Sequence, residues 1–364
     1  MGRETMADMD AVPSSRPPGL LHRLGWLAFA LLACGHFTLL DLWRSPQFLY
    51  LPLYAQYGER MPYQGRALMA WVLHVTAGSS RLEPMLIKIG THLPTGLGDP
   101  YILVLLISTF VASFTAVLAA RATLLTLTGD RRFASWVALL TLYMAYFNLL
   151  AIYGLTYTLP YDVPSLALFS IGVWLVMTRR YWLLLVVFVV GTLNRETFCF
   201  ITLFLALYTW FDMRQQATGE HVRSSWLRRV APHVLLQAIV WVAIKLAIHH
   251  AFRNNPVDLG NTNSVVDFHL LQNVKSLLKP QQWPLYLSLF GFTLPLFFRG
   301  YRWVSDRALA QALAILLAVW TVAMMIVGVI VEIRVFDELT AFLVPAIALI
   351  LWNRWVLPAS KASR

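Results

Sequence analysis

A helix rises only about 1.5 Å per residue, so it needs about 20 consecutive apolar residues to cross a hydrocarbon core. Runs near that length recur along this chain at 22–41, 100–120, 133–152, 163–178, 231–250, 284–298, 308–331 and 338–356. One further stretch, 181–211, is apolar except for Asn194-Arg195-Glu196-Thr197 at its middle. Its halves are too short for ordinary spans, and the stretch reads as a hairpin of two short helices. These runs imply an all-α, polytopic transmembrane helix bundle of about ten helices. The bundle occupies 22–356 as a single domain. Residues 1–21 are polar and mixed in charge and read as a disordered tail; 357–364 form a second tail. The run Ala67–Val75 is too short to span. It lies in a segment, 42–99, rich in Pro, Gly and aromatics. That segment reads as an external region with helices lying on the membrane surface.

Charge orients the bundle. The chain is 58% hydrophobic and only 13% charged, with a net charge of +11. A soluble domain carries roughly 25% charged residues. With both termini cytoplasmic, the tails and the loops near 121–132, 179–180, 212–230 and 299–307 hold 18 of the 29 Lys and Arg but 7 of the 18 acids. The whole excess of positive charge then sits on the inner side, as the positive-inside rule requires. The basic balance therefore needs no nucleic-acid partner; the expected localisation is the plasma (inner) membrane. Treating 67–78 as a span would send most of that charge outward. No cleavable leader precedes the first apolar run, which reads as a signal anchor.

Ionisable groups within or beside apolar runs are costly and persist where they are paired, solvated or useful. Asp41 ends the first run and reads either as a general base or as a helix-end anchor beside Arg44. Arg66 heads the Ala67–Val75 run; it reads as a phosphate-binding guanidinium or as an Arg reaching lipid headgroups. Asp162 precedes Val163-Pro164 and has the position of a helix N-cap. Arg195 and Glu196 lie in the turn of the short hairpin, below the outer surface or at a cavity floor. There they must be satisfied by protein or water. Asn194 could cap the following helix. Glu332-Ile333-Arg334-Val335-Phe336-Asp337-Glu338 joins the last two helices; if helical, Arg334 and Glu338 fall at i,i+4 and could pair. His249-His250 do not face each other on a helix and read as interfacial. Cys34 and Cys199 lie inside apolar runs, which argues against a disulfide. HExxH, Walker, DxD and GxSxG motifs are absent.

The arrangement of a first helix, a long external segment with surface helices, and an acid at the start of that segment resembles the GT-C class of integral membrane glycosyltransferases. Asp41 occupies the position of that acid. The stretch from Tyr54 through Gln64-Gly65-Arg66-Ala67-Leu68-Met69 resembles the aromatic, Arg-containing run after that acid. The Asn194–Thr197 hairpin and the Glu332–Glu338 segment resemble motifs of uncharacterised bacterial polytopic membrane proteins. Asp41 lacks the acidic neighbour many such enzymes carry, and no C-terminal soluble domain is present to bind an acceptor.

The resemblance implies transfer of a sugar from a polyprenyl-phosphate donor, on the extracytoplasmic face, in building the cell envelope. Asp41 would be the catalytic base. Arg66, Arg195 and Arg334 would meet the lipid phosphate, and Glu196, Glu332 and Asp162 would orient those arginines or sugar hydroxyls. The expected partners are the polyprenyl-phosphate-linked sugar and membrane lipids; no cofactor is expected, with a divalent metal left open. Two other readings stand beside it: a transporter or lipid flippase with its site at the broken 181–211 hairpin, and a non-catalytic subunit of an envelope-polymer assembly.

Overall fold

The computed structural model describes residues 19–44, 47–94, 96–151, 157–216, 220–257 and 268–358. Nearly all of the two expected tails lies outside the described residues. Within them the protein is all-α, and its only β pairing is two isolated bridges.

The first helix, α1 (Leu20–Arg44), leads into three short helices, α2 (Leu51–Ala55), α3 (Ala67–Val75) and α4 (Glu83–Gly90). The next is the longest, α5 (Pro100–Thr128). Asp99 caps α5 by accepting from the N–H groups of Tyr101 and Ile102, Pro100 opens it, and Gly129 ends it at φ 69°. This is the ordinary asymmetry of Pro at the start and left-handed Gly at the end. After it come α6 (Arg131–Val137) and α7 (Leu140–Leu149), then α8 (Asp162–Met177), α9 (Tyr181–Asn194), α10 (Cys199–Gln216), α11 (Glu220–Arg229) and α12 (Ala231–Ala251). The C-terminal third holds α13 (Leu270–Leu277), α14 (Trp283–Leu287), α15 (Leu294–Gly300), α16 (Arg307–Val327) and α17 (Thr340–Leu351).

Six helical stretches among the described residues are long and apolar enough to cross a membrane: Leu20–Trp43, Pro100–Thr128, Glu196–Gln216, Ala231–Ala251, Arg307–Val327 and Ile333–Val356. Two shorter apolar helices, α8 and α9, stand with them. The expected single runs at 133–152 and 284–298 are instead divided. The first is α6 and α7, separated by a turn at Ala138-Leu139. The second is broken between α14 and α15, where Phe290, Gly291 and Phe292 all have positive φ (53°, 62° and 62°). Apolarity measures how much chain lipid can cover; it does not register a left-handed turn inside the run. Gly291 suits this turn, since a Cβ would come within 2.3 Å of the Tyr143 ring and force it to move.

One continuous apolar core joins α1, α5, α8, α9, α10, α16 and α17. The last span, Ile333–Val356, is its centre: 94% of its apolar window is buried, against 11% for Ala231–Ala251. This span is thus enclosed by the others, while α12 buries only Gln237 and Ile248. The segment between α1 and α5 has a second core of its own. Leu51, Tyr54 and Ala55 of α2 and Met69, Ala70 and Leu73 of α3 pack with Leu86 of α4, the start of α5, Leu159 and Tyr161. The short helices therefore form a folded cap on one end of the bundle, fastened to α5 and to the stretch at 158–161. Asn255, just past α12, donates to the carbonyls of Tyr57 and Glu59 at 2.8 Å each and ties the cap to that helix as well.

Candidate functional site: a buried arginine–carboxylate network

Segments far apart in the chain deliver charged groups to one place under the cap. Local structure explains how each arrives. Arg66 sits at the entrance to α3, and the Tyr54 hydroxyl donates to its carbonyl. Its guanidinium donates to the Tyr161 hydroxyl, stacks 4.3 Å from the centre of that ring, and reaches Glu196 at 3.3 Å. Arg195 lies between α9 and α10 with an extended backbone (φ −158°, ψ 136°), which breaks the helix and turns its side chain inward. Gly191 lets the next turn fold back over α9: a Cβ there would lie 2.5 Å from the Phe198 ring.

The break expected in the middle of 181–211 is present, but only its first half is short: Tyr181–Asn194 is a shorter apolar helix, whereas Glu196–Gln216 is long enough to cross a membrane, because the helix runs on past the expected end at 211. One terminal nitrogen of Arg195 lies 3.2 Å from Asp162 and 2.6 Å from Glu338. Arg334 takes the other oxygen of Asp162 at 3.4 Å and pairs with Glu332. Asp162 thus bridges two arginines, and α8 begins without a side-chain cap. Asn194 likewise does not cap α10; it is the last residue of α9, and its amide donates to the Tyr161 carbonyl at 2.9 Å.

Arg334 and Glu338 do not pair. Residues 333–339 form a 3₁₀ helix. At three residues per turn, i and i+4 no longer share a face. Glu338 turns instead to Arg195, with Ser165 and Thr197 hydroxyls donating to the same oxygen at 3.2 Å.

Asp41, at the end of α1, is buried and lies within electrostatic range of Asp162. The Thr158 hydroxyl donates to its backbone carbonyl at 2.8 Å, which fixes the end of α1 against the cap. The side chain of Arg44, read as a candidate partner of Asp41, lies outside what is described.

All seven candidate residues, Asp41, Arg66, Asp162, Arg195, Glu196, Glu332 and Arg334, therefore stand in one region of the molecule. They differ in access. The Arg195 and Asp162 side chains are each 4% exposed, whereas those of Glu196 and Glu332 are 35% and 31% exposed. The two open carboxylates cover the outer sides of Arg66 and Arg334. Burial opposes charge on Arg66, but Tyr161, Glu196 and Asp162 outweigh it and hold its pKa above the ordinary value. Burial also raises the Tyr161 phenol, with Arg66 offsetting part of the effect.

No family, curated protein or solved structure matches this chain. The site must be read from its own chemistry.

Several participants were not singled out from the sequence. Tyr161 is the ring on which Arg66 and Arg195 converge, at 4.3 and 5.9 Å. Lys245 of α12 acts electrostatically on Glu196, and Trp241, one turn earlier, donates to the Glu196 carbonyl at 3.0 Å. A solitary Lys inside the apolar run 231–250 was the available signal. Asn148, in the middle of apolar sequence, is a second. Its amide donates to Asp337 at 3.2 Å and Thr340 at 3.3 Å, and its carbonyl accepts from the Phe290 N–H at 2.9 Å. This one side chain joins α7, the left-handed turn and the start of α17. His249 and His250 end α12 exposed. Among the described residues no group of three or more His, Cys, Asp and Glu is arranged to hold a metal ion.

Proposed function

We propose that this protein is an inner-membrane glycosyltransferase of about ten crossings, transferring a sugar from a polyprenyl-phosphate donor to an acceptor at the extracytoplasmic face. The observation that carries the reading is the gathering of Asp41, Arg66, Asp162, Arg195 and Arg334 beneath one cap at one end of the bundle. Buried charges of this number are expensive to assemble. A hydrophobic core of the same shape would hold the helices at lower cost, so their presence asks for a use.

The access differences divide the labour. Arg195, enclosed by Asp162 and Glu338, positions the site. Arg66 and Arg334 face the two open carboxylates, and a lipid phosphate would take their guanidiniums by displacing Glu196 and Glu332. Arg–phosphate pairs are charge-assisted and often bidentate. In the transfer itself the acceptor hydroxyl oxygen attacks the anomeric carbon, and its proton passes to Asp41. The bond from that carbon to the phosphate oxygen breaks, and the polyprenyl phosphate leaves with the electron pair. Arg66 and Arg334 stabilise the charge that develops on it.

The test is transfer of labelled hexose or pentose from polyprenyl-phosphate donors by the purified chain. Asp41→Asn should lower transfer about 100-fold or more while leaving the unfolding midpoint in detergent unchanged. Full activity in that variant would remove Asp41 from the chemistry.

One feature favours a second reading, a carrier that moves a lipid-linked or anionic substrate: the unwound Arg195 between α9 and α10, since discontinuous helices often form transport sites. Thr197→Cys, in a background lacking Cys34 and Cys199, separates the two. Labelling from the outer side alone is expected for the enzyme; labelling from both sides under different conditions would favour the carrier.

A further inference from the structure

At the other end of α1 lies a second concentration of arginines with the opposite character. A cavity of about 410 Å³ is lined by His22, Arg23, Trp26, Arg121, Arg131 and Ser135, with Leu27 and Leu125 completing its wall. His22 is separated from Asp41 by about 28 Å along the helix axis. The cavity is therefore at the far end of the bundle from the network described above.

Its arginines come from three elements: α1, α5 and α6. The charges acting on Arg121 are those of Arg131 and Arg23, both positive. The acid nearest in sequence, Asp130, is taken up by capping α6, where it accepts from the N–H groups of Arg132 and Phe133 at 2.8 Å each. Arg121 is held in place from behind. Its Nε donates to the Ser135 hydroxyl at 2.8 Å, and its guanidinium stacks 4.9 Å from the centre of the Trp26 ring. Trp26 is itself fixed, donating from Nε1 to the Ser135 carbonyl at 2.7 Å. The terminal nitrogens of Arg121 and the whole Arg131 side chain make no hydrogen bond or ion pair among the described residues. His22 Nε2 is enclosed without a partner among them.

We infer that this cavity is a binding site for an anionic phosphate group, formed by Arg121 and Arg131 over Trp26. A fork of oriented guanidinium donors suits phosphate, and a cavity of like charges gains from an anion what the upper network gains from its own carboxylates. Two sources share this chemistry: the headgroup of an anionic phospholipid and a soluble phosphate. The apolar wall of Leu27 and Leu125, and the exposed Leu24 beside it, suit the lipid.

The experiment follows thermal unfolding of the full chain in detergent during titration with short-chain phosphatidylglycerol, with phosphatidylcholine of the same chains, and with inorganic phosphate. Phosphatidylglycerol is expected to raise the midpoint. Its apparent affinity should fall about tenfold in Arg131→Gln and in Arg121→Gln. It should be unchanged in Arg228→Gln, an exposed arginine of α11 outside the cavity. A response to inorganic phosphate alone, with the same dependence on Arg131, would uphold the site and assign it to a soluble ligand. Equal responses to both lipids, no response to phosphatidylglycerol or phosphate, or an undiminished response in Arg131→Gln would each overturn the inference. Arg131 is exposed, so its variant keeps the test intact if Arg121→Gln fails to fold.

Discussion

The two ends of α1 treat arginine in opposite ways. At the Asp41 end, Arg66, Arg195 and Arg334 are each matched to a carboxylate within 3.4 Å and sit under a folded cap. At the His22 end, Arg121 and Arg131 line an open cavity to which no carboxylate contributes among the described residues. The same side chain is a strut in one place and an unanswered charge in the other. The difference comes from solvent. A guanidinium removed from water must be given its counter-charge by the protein, because desolvation is otherwise prohibitive. One left at a membrane–water boundary can leave the counter-charge to something that arrives from outside.

Substitutions should separate the two ends in proportion to this. Arg195→Met is the severest test: it strands Glu338 and half of Asp162 in the core and should cost about 3–5 kcal/mol, read as unfolding in detergent. A cost below about 1 kcal/mol would mean the network is wetter than its geometry implies. Asp41→Asn should leave stability alone and act on the barrier to transfer, where a 100-fold loss is about 3 kcal/mol. Asn148→Ala removes the clamp on the Phe290 N–H and the partner of Asp337, and should cost about 1–3 kcal/mol. Arg131→Gln belongs to the other class. Its effect on stability without ligand should stay within about 0.5 kcal/mol, and its consequence should appear only in the response to an added phosphate.

The sequence marks which charged residues call for an explanation, but not that they meet in space. Arg195, Glu196, Asp162 and Arg334 stood out because charge interrupts apolar runs at a known cost, and the break at Arg195 was implied by the two short halves of 181–211. Partner choice was not legible. Asp162 reads locally as a cap, yet it serves two arginines on other segments, because the fold brings α8 between the 195 turn and the 333–339 segment. The i,i+4 pair of Arg334 and Glu338 assumes 3.6 residues per turn, and the 3₁₀ winding removes that coincidence. Lys245 and Asn148 carried the same kind of signal, a polar group in apolar sequence, but each is single and lacks a charged neighbour to draw notice. The divided run at 284–298 lay beyond reach for another reason: the turn at Phe290–Phe292 is held by Asn148 and Tyr143, which are far away in sequence.

The central position of the last span has a consequence for biosynthesis. Ile333–Val356 leaves the ribosome after the other five described spans, yet it occupies the middle of the bundle. It also brings Arg334, Asp337 and Glu338. Until it inserts, Arg195 lacks Glu338, Asp162 lacks Arg334, and the surrounding helices enclose a space that lipid or water must fill. Insertion of this span is therefore a closing step for the other five, in which packing and charge pairing are completed together. A chain released early has its arginine and aspartate in place without the residues that balance them, and is an evident substrate for membrane quality control.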